Sequence, residues 1–154
     1  MLCTVRARRW FLQTAMAYLG TPYRWGGDDP SGFDCSGLVV ECLKTAGIIS
    51  ENADYTADGL ARLYSDRQIS QPRRGALLFT FNPDGRATHV AICLDRHFQI
   101  SASGGTRYIS KPDAAWRDNA YVRIRPIRFD PARMKVVDPL GRWWQLWFGD
   151  RIKT

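Results

Sequence analysis

The 154-residue chain has only two histidines, His89 and His97, and four cysteines, Cys3, Cys35, Cys42 and Cys93, none in a C-x-x-C pair. That scarcity removes a structural zinc site, which needs a closely spaced set of thiolate and imidazole ligands. Four scattered cysteines in a chain of this size do not read as disulfide staples either. Cys3, Cys42 and Cys93 lie in or beside apolar segments and read as reduced packing residues. No apolar run is long enough to span a membrane. The first residues, MLCTVRARRWFLQTAMAYLG, set basic side chains before a short apolar stretch, but Gln13 and Thr14 interrupt it and no small-residue cleavage site follows. The segment therefore reads as the first helix of the mature fold, not as a signal peptide. Internal repeats, low-complexity linkers and aromatic-interleaved basic arrays are also lacking, and the last of these argues against nucleic acid as a partner.

What is there points to one globular domain. Twenty-two basic side chains against 15 acidic ones give a net charge of +7, which suits anionic partners such as wall polymers or lipid head groups. The first half carries helical spacing. Residues 5–19 form a helix that Gly20 and Pro22 stop, and the loop GTPYRWGGDDPSGFD follows, held in shape by Tyr23 and Trp25. Leu38, Val39, Cys42, Leu43 and Ala46 make one face of a second helix, ended by Gly47. Thr56 caps a short third helix through Leu60 and Leu63. Beyond Pro72 the stretches 75–81, 88–95, 97–103, 107–110 and 121–127 read as strands, with NPDG at 82–85 as the clearest turn. Helices followed by strands imply an α+β domain with N-terminal helices packed on an antiparallel sheet of about five strands. The domain is expected over residues 1–130. Residues 131–154 form an aromatic tail, rich in Trp143, Trp144, Trp147 and Phe148, that packs on the domain or anchors to a partner.

Two residue types in this pattern suggest chemistry. Cys35, in GFDCSGLV, falls in or just before the first turn of the second helix, where the dipole and unpaired N–H groups favour a thiolate. A cysteine nucleophile needs a base, and His89 opens the strand THVAICLD. On strand alternation His89, Ala91 and Cys93 share one face, while Val90, Ile92 and Leu94 share the other. His89 thus points to the face of small residues, which leaves room for a helix N-terminus to approach.

The run YLGTPYRWGG…GFDCSGLV, followed by THVAICL and ISASGGTRYIS, resembles the NlpC/P60 family of cell-wall cysteine peptidases, over roughly residues 9–127. The resemblance implies a papain-like α+β fold, Cys35 as nucleophile, His89 as base, and a substrate and oxyanion environment built with Tyr23, Asp34 and Ser36. It implies no metal and no cofactor. The chain departs from the family pattern twice. Gly75 is followed by Ala76 where the family has a GDLL-type strand start. The third catalytic position, usually His, Asn or Gln, falls on Ser101 when ISAS is aligned with IHAS, and Gln99 is the substitute if the register shifts.

The implied function is hydrolysis of amide bonds in peptidoglycan stem peptides, between D-glutamate and a diamino acid. The alternatives are a non-catalytic structural or binding protein on this fold, and another thiol chemistry such as amidase or acyl transfer. With no signal peptide read, the expected setting is synthesis in the cytoplasm and action at the cell wall. Delivery would fall to a phage virion or a secretion apparatus, with proteins of that machinery as partners of the aromatic tail.

Overall fold

The computed structural model describes residues 2–105 and 108–141. Helix α1 spans Leu2–Ala17, α2 Cys35–Thr45, α3 Ala57–Leu63 and α4 Pro112–Arg117. Between α1 and α2 the loop contains a small hairpin, β1 (Asp28–Asp29) and β2 (Gly32–Phe33). The main sheet comprises β3 (Gln68–Ile69), β4 (Leu77–Phe81), β5 (Ala87–Cys93), β6 (Phe98–Ser103), β7 (Tyr121–Pro126) and β8 (Met134–Val137). Its spatial order is β3-β8-β4-β5-β6-β7, antiparallel at every pairing. Among the described residues no helix is long and apolar enough to cross a membrane.

The local signals act as their chemistry requires. Asp34 caps α2 by accepting the Gly37 N–H at 2.8 Å, and Thr56 caps α3 by accepting the Gly59 N–H at 3.1 Å. Gly47, at φ +68°, ends α2 while Ile48 N–H donates to the Leu43 carbonyl. At the NPDG turn, Gly85 takes φ +75° and its N–H donates to the Asn82 carbonyl.

Strand alternation sorts the core into two clusters. Leu77, Phe79, Val90, Ile92, Ile100 and Ala102 face the helices, meeting Phe11, Leu38, Leu43 and Leu60. Burying each such leucine stabilises the fold by about 2 kcal/mol. Leu78, Cys93, Val136 and Ala76 face the other way, covered by Ile69, Phe129 and Met134. Cys42 and Cys93 are buried and free, as packing residues should be.

Several elements differ from the sequence reading. The body of α2 lies on the Val90–Ile92 face, not on the face of small residues; the larger apolar side chains are the ones that fill the space under a helix. The stretch 107–110 is not a strand where it is described: Tyr108 is an exposed turn residue, and the Ile109 carbonyl accepts the Trp25 N–H. Tyr23 is buried in the core and does hold its loop, whereas the Trp25 side chain is 58% exposed. Met134–Val137 forms a strand that pairs with both β3 and β4, so the sheet has six strands rather than five, and residues 134–140 are built into the domain. The cluster Trp143, Trp144, Trp147 and Phe148 lies outside the described residues, as does the side chain of Cys3.

Candidate active site

Cys35 is the first residue of α2, and the helix start is held in place by close backbone packing. A Cβ on Gly37 would come within 2.0 Å of the Gly27 carbonyl oxygen, so only glycine lets α2 approach the loop this closely. Asp34 fastens the same junction. Its carboxylate accepts from the Gly37 N–H, from the Ser36 hydroxyl at 2.9 Å and from the Gly26 N–H at 3.0 Å.

Cys35 is half-buried, and the backbone N–H groups of Val90, Ser36 and Cys35 itself favour its thiolate. The Val90 contact follows from the ladder. Cys93 exchanges hydrogen bonds with the β4 side, its N–H to the Ala76 carbonyl and its carbonyl from the Gly75 N–H, each at 2.8 Å. Backbone direction alternates along a strand, so the Val90 N–H points toward β6. The β5–β6 ladder pairs only Ile92 with Ile100 and Cys93 with Gln99. Past that point the Val90 N–H is free of β6, and it acts to favour the Cys35 thiolate.

Burial pushes the Cys35 thiol up to about 11, and the Asp34 charge adds to this, while the three N–H groups work against it. Burial also lowers the His89 imidazole below its ordinary value, and the nearby Arg125 guanidinium lowers it further. Both shifts favour the uncharged forms, the thiol at Cys35 and the neutral imidazole at His89.

Both side chains line one cleft of about 710 Å³. Tyr23, Asp34 and Ser36 line it beside Cys35; Ser103, Arg86 and Arg125 line it beside His89. Burial raises the Tyr23 phenol, with smaller contributions from Cys35 and Asp34, so its hydroxyl stays protonated as a donor near the sulfur. Of the candidates read from the sequence, five thus come together: Tyr23, Asp34, Cys35, Ser36 and His89. Ser101 is 3% exposed on β6 and does not line the cleft. By the register it shares the sheet face of Gln99, Cys93, Ala91 and His89.

The sequence reading missed Val90, whose contribution is a backbone N–H and carries no residue signature. It also missed Arg86 and Arg125, which look like ordinary surface arginines until the chain is folded.

The sequence profile of the NlpC/P60 family matches residues 20–125. The chain is 35% identical over 94 residues to dipeptidyl-peptidase 6 of Lysinibacillus sphaericus, which covers 61% of this chain and 32% of that protein. It is 32% identical over 112 residues to the bifunctional muramidase/DL-endopeptidase CwlT of Bacillus subtilis, covering 70% of this chain and 33% of that one. The chain thus spans about a third of the length of these relatives. In fold it is similar to the P60 domain of the Mycobacterium avium subspecies paratuberculosis antigen MAP1204, with a TM-score of 0.67 and 23% identity over 90% of this chain and 98% of that one. With its cysteine at a capped helix start, its histidine across the same cleft and the profile matched over most of its length, the chain belongs to the NlpC/P60 family.

Proposed function

We propose that this chain is a cysteine peptidase that hydrolyses amide bonds in peptidoglycan stem peptides, cutting between D-glutamate and the diamino acid. The observation that carries the reading is Cys35 at the capped start of α2, in one cleft with His89. The bond assignment draws support from CwlT, whose name describes a DL-endopeptidase.

In this mechanism His89 takes the Cys35 proton as the sulfur attacks the amide carbonyl, and the new C–S bond leaves a tetrahedral oxyanion. Backbone N–H groups at the helix start and the Tyr23 hydroxyl steady that charge. Imidazolium then delivers the proton to the leaving amine as the C–N bond breaks. His89 next activates a water, which releases the acyl group and returns the thiol. Asp34 and Ser36 keep the helix start in register for these steps. Ser101, on the sheet face of His89, orients the imidazole, with Gln99 as the substitute.

Purified protein incubated with defined stem peptides, with products identified by mass spectrometry, tests the reading. Cleavage at the D-glutamyl bond by the native chain, and none by Cys35→Ala or His89→Ala, is the expected result. The double variant should be no worse than either single, because the two groups act as one unit. Full turnover by Cys35→Ala overturns the assignment.

A further inference from the structure

The charges lining the cleft do not balance. Among the described residues Asp34 is the only carboxylate on its walls, and its oxygens are occupied by Gly26, Gly37 and Ser36; Asp58 and Asp84 lie in the adjoining pocket that Arg86 also lines. Against it stand two arginines, Arg86 at the entry to β5 and Arg125 on β7. Among the described residues neither guanidinium forms an ion pair or a side-chain hydrogen bond. Arg86 is fixed through its backbone: its N–H donates to Asn82 Oδ1 at 2.8 Å and its carbonyl accepts from the Asn82 N–H at 3.0 Å. Other arginines of the fold are paired, Arg24 with Asp29, Arg62 with Asp58, Arg8 and Arg73 with Asp138; what sets Arg86 and Arg125 apart is their place on the wall of this cleft.

Two unmatched guanidinium groups beside a nucleophile and its base are suited to a ligand that brings its own negative charge. Each offers a planar fork that matches a carboxylate, and each is solvent-exposed at the cleft wall, so the pairing it offers is charge-assisted but screened by salt.

We propose that Arg125 and Arg86 form a two-pronged carboxylate site that makes the enzyme specific for stem peptides with free carboxylates next to the scissile amide. The inference rests on the peptidase reading and adds which chemical form of the stem is accepted. Arg125, near the His89 that protonates the leaving amine, takes a carboxylate of the amine-bearing residue. Arg86 takes the carboxylate on the acyl side. Amidation, which leaves size and hydrogen-bonding capacity nearly unchanged and removes the charge, is therefore the modification this cleft rejects. Arg125 also has a second consequence, since a carboxylate placed on it cancels the charge that works against imidazolium. The correct substrate thereby eases the proton transfer that its own cleavage needs.

Equilibrium binding to the Cys35→Ala protein tests the site apart from catalysis. The probes are L-Ala-γ-D-Glu-meso-diaminopimelate with its side carboxylates free, and the same tripeptide with them amidated. The acid form is expected to bind at least about tenfold tighter, with the advantage shrinking at high salt. Arg125→Gln and Arg86→Gln, each with unchanged melting temperature, should each remove part of that preference, while Arg125→Lys keeps most of it. Equal binding of the two forms, with both cleaved at the same KM by the native chain, overturns the carboxylate site and leaves the peptidase reading intact. Selective binding of the acid form without cleavage by the native chain supports the site and removes the peptidase reading. Binding of neither form overturns the carboxylate site, and absence of cleavage by the native chain in the same experiment overturns the peptidase reading as well.

Discussion

Arg8 and Arg73 converge on the buried carboxylate of Asp138, whereas Arg86 and Arg125 line the cleft of Cys35 and His89 and, among the described residues, form no ion pair. In the first region the charge is consumed in holding the fold. Arg8 reaches both oxygens of Asp138, at 2.9 and 3.1 Å, and donates to the Arg74 carbonyl at 2.7 Å; Leu140 N–H caps the same carboxylate at 3.0 Å. Asp138 thereby ties α1, the loop before β4 and the end of β8 together. In the cleft the same residue type is left with capacity to spare. The difference teaches that the positive charge of this chain is not one surface property. One share of it is a structural clamp and another lines the cleft that holds Cys35 and His89.

The comparison is tested most severely where the two regions should respond in opposite ways. Cys35→Ala should lower turnover by a factor of at least about 10³ with its melting temperature nearly unchanged, since it removes the nucleophile and little packing. Paired peptide-cleavage and thermal-melt measurements check this. Asp138→Ala should do the reverse. Removing a buried carboxylate from its ion pairs costs about 3 kcal/mol, near the low end for such losses because both arginines can rehydrate. In a chain of this length that is a fall of roughly 8 °C in melting temperature, visible by calorimetry, with kcat/KM at 25 °C little changed. A large loss of activity in Asp138→Ala at a temperature where it is still folded would break the division.

Smaller effects sharpen the picture within the cleft. Ser101→Ala should cost a modest factor, about three- to tenfold in kcat, because a hydroxyl orients an imidazole less firmly than a carboxylate would. Retention of full kcat would move the orienting role to Gln99 or another group. The pH profile should move least. His89 must be neutral to take the thiol proton, and its value is lowered, so the acid limb of kcat/KM should lie below that of an unperturbed imidazole. Arg125→Gln removes one of the two causes, which raises the imidazole and moves that limb to higher pH. Burial, the larger cause, remains, so the shift should be partial.

How much of this could be read from the sequence depended on whether a feature is local. Cys35 at a helix start, the Thr56 cap and the Gly85 turn are set by residues within a few positions of each other, and the sequence carried them. Helix α4 had a usable signal too, Pro112 at its first turn followed by Asp113, but six residues make a weak periodicity. Strand β8 was not legible because Met134–Val137 is short and its place is decided by β3 and β4, more than fifty residues earlier. The side of the sheet taken by α2 was misjudged for a similar reason. Alternation tells which residues share a face but not which face a helix covers, and that is settled by where the bulky side chains are. The Val90 N–H lay beyond any sequence reading, since its availability depends on where the β5–β6 ladder stops.

The position of β8 also has a consequence for how the chain is made. During synthesis the described residues that line the cleft, the last of them Arg125, emerge before Met134–Val137 does. Until then β4 has no neighbour on one side, and an open strand edge invites pairing with other nascent chains. A ribosome adding roughly ten residues per second leaves that edge uncovered for about a second or more. The sheet closes only when its last-made strand slides between two that were made long before. The cleft can therefore be assembled in sequence before the fold that holds it is locked, and chaperone dependence during expression should be concentrated in that interval.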